Sequence, residues 1–246
     1  MKRYGLIGYP LSHSFSKRYF EAKFLREGIT GCAYELFPIN SIDELPALLS
    51  QYPDLQGLNV TIPYKHAVIP FLDDTTNLPR GLSACNCIKI SNNKLSGYNT
   101  DVIGFEQSFR PLLQPHHRAA LVLGSGGAAK AVCWCLEKLG LTYTTVSRNS
   151  GAGVLTYGDV DEHVLSLNQV IINTTPLGTY PNVDECPQLP YYALTPQHYL
   201  FDLTYNPAKT LFLSKGEEKG ATIKNGEEML VIQAEESWKI WNASKF

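Results

Sequence analysis

Three places along the 246-residue chain put chemically capable side chains where packing alone does not require them. The first is Lys65, in the run NVTIPYKHAV at residues 59–68. Asn59 to Ile62 read as the end of a strand that Pro63 stops, so an ammonium follows directly on the turn. A cation there is either solvated surface or a group facing a site, where it could stabilise a developing oxyanion or move a proton. The second place is LVLGSGGAAKA. Gly124, Gly126 and Ala129 match the pattern G-x-G-x-x-G/A between a predicted strand and a predicted helix. Such glycines admit backbone close to a pyrophosphate, and the helix start offers N–H donors and a positive dipole end. A turn that needs glycine only for packing is the alternative, and the flanking strand and helix favour a dinucleotide. The third place lies about twenty residues on, where an NAD site carries Asp or Glu for the ribose hydroxyls. Here the chain reads Ser147, Arg148, Asn149. A guanidinium offers forked, charge-assisted donors to a 2′-phosphate, which favours NADP over a merely solvated arginine.

Hydride chemistry on such a cofactor needs a second group to move the accompanying proton. Lys65 and Asp101, the latter in YNTD, could do this to a substrate hydroxyl if both face a cleft between two domains. Ser12, Ser14 and Ser16 stand near the end of the first predicted strand, and Asn99 accompanies Asp101. Each has a structural alternative: the serines can cap the next helix, and Asp101 can cap the one after it.

The elements that must position these groups form two blocks of βα alternation. RYGLIGYP reads as a strand, and SFSKRYFEAKFLREGI as a helix with Phe20, Phe24 and Leu25 on one face. CAYELFPI is a second strand; SIDELPALLSQY is a helix capped by Ser41 with Glu44 at the capping-box position. LQGLNVTIP is a third strand, and ACNCIKISNNKLSGYNTD a hairpin about Asn92-Asn93. A second block begins near Asp101, with strands at RAALVL, TYTTVSRN, QVIINTTPLG and HYLFDLTYNP and a helix after the glycine turn. Strands alternating with helices imply a parallel sheet. A last helix follows Asn225, with Glu228 at its capping-box position, and its Met229, Ile232 and Ile240 need a partner surface.

Composition excludes several classes. A net charge of −2 without a basic run argues against a nucleic-acid surface. The apolar stretch of MKRYGLIGYPLSHS is too short for a signal peptide or a membrane span. None of the six cysteines forms a CxxC pair, so the sequence predicts no metal site and buried free thiols. A cytoplasmic enzyme is the expectation.

The motifs GYPLSHSFSK, NVTIPYK, ACN, NTD, GSGGAAKA, SRN, NTTPLG, YNPAKT and NGEEMLVIQA, in this order over nearly the whole chain, resemble the shikimate dehydrogenase family. The resemblance implies an α/β protein with an N-terminal substrate domain (1–100, completed by 225–246), a Rossmann-like NADP domain (101–224) and a cleft between them. It implies NADP-dependent, reversible interconversion of 3-dehydroshikimate and shikimate, a step of aromatic amino-acid (chorismate) biosynthesis, by a monomer or homodimer. Matched motif by motif, Lys65 and Asp101 would bracket the reacting hydroxyl, and Ser14 and Ser16 would hold the substrate carboxylate. Thr61, Asn86 and Gln233 would contact its hydroxyls or carboxylate, with Asn59 and Tyr205 lining the site. Gly124, Ser125, Gly126, Gly127, Ala128, Ser147, Arg148, Asn149, Leu203 and Gly226 would contact the cofactor, and Asn77 is a further candidate. The chain departs from the family in having Ala152 where a second cation often follows the arginine, and Gly226-Glu227-Glu228 before Met229. Cys87 replaces a common threonine and reads as strand packing, and segment 150–160 does not read as a helix start. A quinate or dual quinate/shikimate dehydrogenase, with NAD as its cofactor, and a catalytically silent NADP-binding regulator are the rival readings.

Overall fold

The computed structural model describes residues 1–11 and 14–243, and it divides into two compact units, Met1–Ile103 with Leu230–Phe246 and Gly104–Met229. Ser12 and the last three positions of the chain lie outside the described residues.

The first unit is built on a five-stranded sheet. Its strands are β1 (Lys2–Gly8), β2 (Cys32–Pro38), β3 (Leu55–Val60), β4 (Cys87–Ser91) and β5 (Lys94–Tyr98), in the order β2-β1-β3-β4-β5. β1 pairs in parallel with β2 and β3, while β3–β4 and β4–β5 are antiparallel. β1 lies inside the sheet, between β2 and β3, and is apolar on both faces, as a doubly covered strand must be. Tyr4 and Leu6 pack with Phe20, Tyr34 and Trp241 on one face, and Ile7 packs with Leu45, Leu58 and Val60 on the other. The hairpin turns at Asn92 and Asn93, whose φ of 52° and 57° suit the two-residue turn that asparagine tolerates. The Ser41–Glu44 capping box forms, ahead of a short 3-10 turn that leads into α2 (Leu45–Gln51).

α1 (Phe15–Arg26) corrects one expectation. Phe20 and Phe24 are buried, but Leu25 is 86% exposed and Lys23 lies buried in its place. At about 100° per residue, position 25 stands roughly 140° from Phe20 while position 23 stands within about 60°. The Lys23 ammonium is satisfied there by Glu27 and Glu235, each at 2.9 Å, and Tyr19 donates to the same Glu235. Glu235 belongs to α7 (Glu227–Asn242), so this cluster clips the last helix onto α1. On α7 the buried stripe is Gln233, Ala234, Ser237 and Trp241, whereas Met229, Ile232 and Ile240 are only half-buried. Trp241 stacks on Tyr4 with ring centroids 4.9 Å apart and donates to the Ile88 carbonyl at 2.9 Å. It occupies the space where a Cβ on Gly57 would come within 2.2 Å of its Nε1, so that glycine makes the docking possible. At the start of α7, Asn225 accepts from the Glu227 amide at 3.3 Å, and Lys224 donates to Glu228.

The second unit carries an all-parallel six-stranded sheet. Its strands are β6 (Ala119–Leu123), β7 (Thr142–Ser147), β8 (Val154–Thr156), β9 (Val170–Asn173), β10 (Tyr199–Asp202) and β11 (Thr222–Lys224), ordered β11-β10-β9-β6-β7-β8. α3 (Asp101–Phe109) leads in, α4 (Gly127–Lys138) follows β6, and α5 (Glu162–Leu167) and α6 (Leu211–Glu217) complete the unit. Phe105 and Phe109 of α3 pack against Tyr199 and Phe201 of β10 at centroid distances of 5.1–5.8 Å. The strands β8 and β11 and the helices α5 and α6 were not legible in the sequence. Within 150–160, β8 pairs with β7, and Thr156 with Asp159 closes a capping box just after it. Among the described residues no helix is long and apolar enough to cross a membrane, and no cluster of side chains could hold a metal ion. All six cysteines are free.

Candidate active site

The backbone that presents Lys65 is pinned from three sides. Val60 donates to the Asn86 carbonyl at 2.9 Å, Tyr64 donates its hydroxyl to the Ile39 carbonyl at 2.7 Å, and Cys85 donates to the Lys65 carbonyl at 2.7 Å. So held, Lys65 Nζ donates to Asp101 Oδ2 at 2.7 Å, with the two side chains 34% and 18% exposed. Asp101 opens α3, but Asn99 does the capping there, accepting from the Val102 amide at 3.3 Å. The Asp101 carboxylate is thereby left to the lysine, and the pair borders solvent.

Ser14 is the N-cap of α1, its Oγ accepting from the Lys17 amide at 3.4 Å. The structural alternative and the functional one are compatible here, because a serine that accepts this bond keeps its O–H free to donate. Ser16 lies in the first turn of α1. Thr61 is half-buried, and its methyl rests where a Cβ on Gly8 would come within 2.4 Å.

Asn59, Asn86 and Gln233 are at most 7% exposed. Asn59 Oδ1 accepts from Tyr34 at 2.8 Å, and its Nδ2 donates to Ser237 Oγ at 2.9 Å and to the Asn86 carbonyl at 3.3 Å. Its amide is therefore engaged within the protein. Asn86 Oδ1 accepts from the Thr100 amide at 2.6 Å, and its Nδ2 donates to Thr100 Oγ1 at 3.0 Å. Gln233 Nε2 donates to the Leu230 carbonyl at 2.9 Å. Cys87 is fully buried in the apolar cluster of α1 and α7, and burial pushes its thiol well above the usual range, so it stays protonated.

In the second unit the glycine turn joins β6 to α4. Gly124 has φ +110°, and a Cβ there would lie 2.6 Å from Thr174 Oγ1, so the position needs glycine on both counts. At Gly126 and Gly127 a Cβ would meet nothing within 4 Å. Their bare backbone, with exposed Ser125 and Ala128, opens onto free space at the start of a 12-residue helix whose first amides have no intrahelical acceptor. This geometry fits a pyrophosphate. Ser147 ends β7, and Arg148 and Asn149 are exposed beyond it.

Asp202, at the end of β10, is wholly buried. Its carboxylate accepts from Asn173 Nδ2 at 3.1 Å, the Thr204 amide at 3.0 Å and Thr210 Oγ1 at 2.6 Å. Burial pushes this carboxyl up to about 6, although those hydrogen bonds favour its charged form. It anchors the loop bearing Leu203 and Tyr205. Gly226 donates to the Thr204 carbonyl at 3.1 Å, and a Cβ on it would fall 2.1 Å from the Leu203 carbonyl oxygen. Tyr205 belongs to the second unit, while Asn77 is exposed in the first. Sequence reasoning missed Tyr34, Thr100, Ser237 and Asp202. Each looks like an ordinary polar position, and only its burial marks it.

The Rossmann-like parallel sheet with its glycine turn and the mixed sheet with its lysine–carboxylate pair define a two-unit α/β oxidoreductase. Residues 6–88 match the model of the shikimate dehydrogenase substrate binding domain. The chain is 37% identical over 254 residues to the shikimate dehydrogenase (NADP(+)) of Clostridium beijerinckii, covering 98% of this chain and 92% of that protein. The crystal structure of shikimate dehydrogenase from Aquifex aeolicus shares 32% identity at a TM-score of 0.85, covering 100% and 94% of the two chains. That of the Thermus thermophilus enzyme in complex with NADP(H) and shikimate shares 26% at 0.84, covering 98% and 94%. This chain belongs to the shikimate dehydrogenase family.

Proposed function

We propose that this protein reduces 3-dehydroshikimate to shikimate, reversibly and with NADP, as a step in making aromatic amino acids. Its relatives carry that name across nearly the whole chain, and a homologous structure holds both NADP(H) and shikimate. The observation that carries the chemistry is the Lys65 Nζ–Asp101 Oδ2 contact of 2.7 Å at the solvent border of the first unit. A silent regulator has no need of such a pair.

The substrate carboxylate lies at the N-terminus of α1, where Ser14 and Ser16 donate and the helix dipole favours a negative charge. Asn86, Thr61 and Gln233 take the ring hydroxyls. As the ketone is reduced, negative charge grows on its oxygen. The Lys65 ammonium stabilises that charge and delivers the proton, while Asp101 holds Nζ in place. In the reverse direction Lys65 takes the hydroxyl proton. NADP, when bound, supplies the hydride exchange. For it, the amides at the start of α4 bind the pyrophosphate, and Arg148 grips the 2′-phosphate with help from Ser147 and Asn149. Six free cysteines accord with a reducing cytoplasm, and the enzyme acts as a monomer or homodimer on a small-molecule substrate.

The test follows NADPH and NADH absorbance with 3-dehydroshikimate and then with 3-dehydroquinate. Turnover of 3-dehydroshikimate with NADPH is expected; preference for 3-dehydroquinate or NADH overturns the reading. Lys65→Met should lower turnover by ~10²–10⁴ with NADP affinity near normal. Wild-type turnover in that variant removes Lys65 from proton transfer.

A further inference from the structure

Two hydrogen-bond chains in the first unit converge on one buried hydroxyl that no catalytic or binding role above includes. Ser237, on α7, is 0% exposed. Its Oγ donates to the Gln233 carbonyl at 2.9 Å, a group that can only accept. With its proton so placed, the Ser237 oxygen receives Asn59 Nδ2 at 2.9 Å and Thr100 Oγ1 at 3.2 Å.

The direction of each chain follows. The Thr100 amide fixes Asn86 Oδ1, which turns Asn86 Nδ2 toward Thr100 Oγ1, and the Thr100 proton passes on to Ser237. On the other side Tyr34 donates to Asn59 Oδ1, which orients the Asn59 amide toward Ser237. One branch thus begins at Asn86 and the other at Tyr34, and both end through Ser237 on the backbone of Gln233. Tyr34, Asn59, Asn86 and Thr100 are all at most 5% exposed, so each donor in the chains would pay a full desolvation penalty if its partner were lost.

We infer that Ser237 is a positioning residue for substrate recognition, keying Asn59, Asn86 and Gln233 to one another through a single hydroxyl. This rests on the substrate site proposed above. Ser237 reaches two segments distant in the chain, so removing its oxygen leaves Asn59 Nδ2 and Thr100 Oγ1 with only their longer contacts, 3.3 Å each, to Asn86 while the fold keeps its apolar contacts. The effect should fall on binding of the substrate, because Lys65 and Asp101 take no part in the chains.

The experiment measures shikimate KM, kcat, NADP KM and the calorimetric shikimate Kd for wild type, Ser237→Ala, Tyr34→Phe and the double variant. Ser237→Ala should raise shikimate KM and Kd roughly three- to tenfold, with kcat and NADP KM within about twofold. Tyr34→Phe should raise them less, and the double variant should fall short of the product of the two single effects, because both lie on one chain. Unchanged shikimate KM and Kd in Ser237→Ala overturns the inference. So does a loss confined to thermal stability, or a fully multiplicative double variant. A wild type that fails to oxidise shikimate with NADP overturns the functional reading itself, and is seen before any variant is compared.

Discussion

Replacing Asp202 by asparagine removes a buried charge while nearly preserving the shape that Asn173, Thr204 and Thr210 hold. Burial pushes the wild-type carboxyl up to about 6, well above its value of 3.8 in the unfolded chain. Between those values the folded protein binds the proton and the unfolded chain releases it. Stability from this group is therefore present at low pH and is lost as pH rises through the window, the opposite of a salt-bridged carboxylate. The whole difference corresponds to about 3 kcal/mol, and roughly 1.4 kcal/mol of it falls between pH 5 and pH 7.5. Tyr191, whose phenol feels the Asp202 charge, is itself pushed far upward by burial and stays neutral throughout. Asparagine has nothing to titrate. Urea denaturation of both proteins at pH 5 and pH 7.5 cancels the other ionisable groups in the difference. The variant should gain about 1.4 kcal/mol on wild type between the two pH values. A difference independent of pH, or one that moves the other way, would refute the reasoning.

Two further outcomes rest on the second unit. Arg148→Asp should collapse kcat/KM with NADP and hold or raise it with NAD. One charge-assisted clamp gives the wild type a preference of roughly 10–150-fold, and Ala152 adds no second cation; an unmoved cofactor ratio refutes the assignment of Arg148. Gly226→Ala would drive a methyl to 2.1 Å from the Leu203 carbonyl oxygen. The loop must shift, at a cost of ~1–3 kcal/mol in stability, with NADP KM raised; wild-type melting and NADP KM in that variant would show that Gly226 does not hold the loop.

The sequence by itself determined the features whose physics is local. Asn92-Asn93 made a hairpin because both positions need positive φ, and Ser41 with Glu44 made a capping box across three residues. Gly124 to Ala129 stood out because strand, turn and helix start are contiguous, and Lys65 because a strand stops just before it. Beyond that, the resemblance named the remaining site residues. What only tertiary structure decided was which polar groups are buried and what meets them there. Lys23 could be buried on the inner face of α1 because Glu235, 212 residues away, offered the ammonium a partner. The strands β8 and β11 are three residues each, too short to carry a period, and exist by pairing with β7 and β10. Asp202 and Ser237 carry no local signature at all. Asp202 takes Asn173 across neighbouring strands, and Ser237 meets Asn59 at a separation of 178 residues. A desolvated polar group must find its partner in space, and the chain order of those partners is set by topology, which no window of adjacent residues contains.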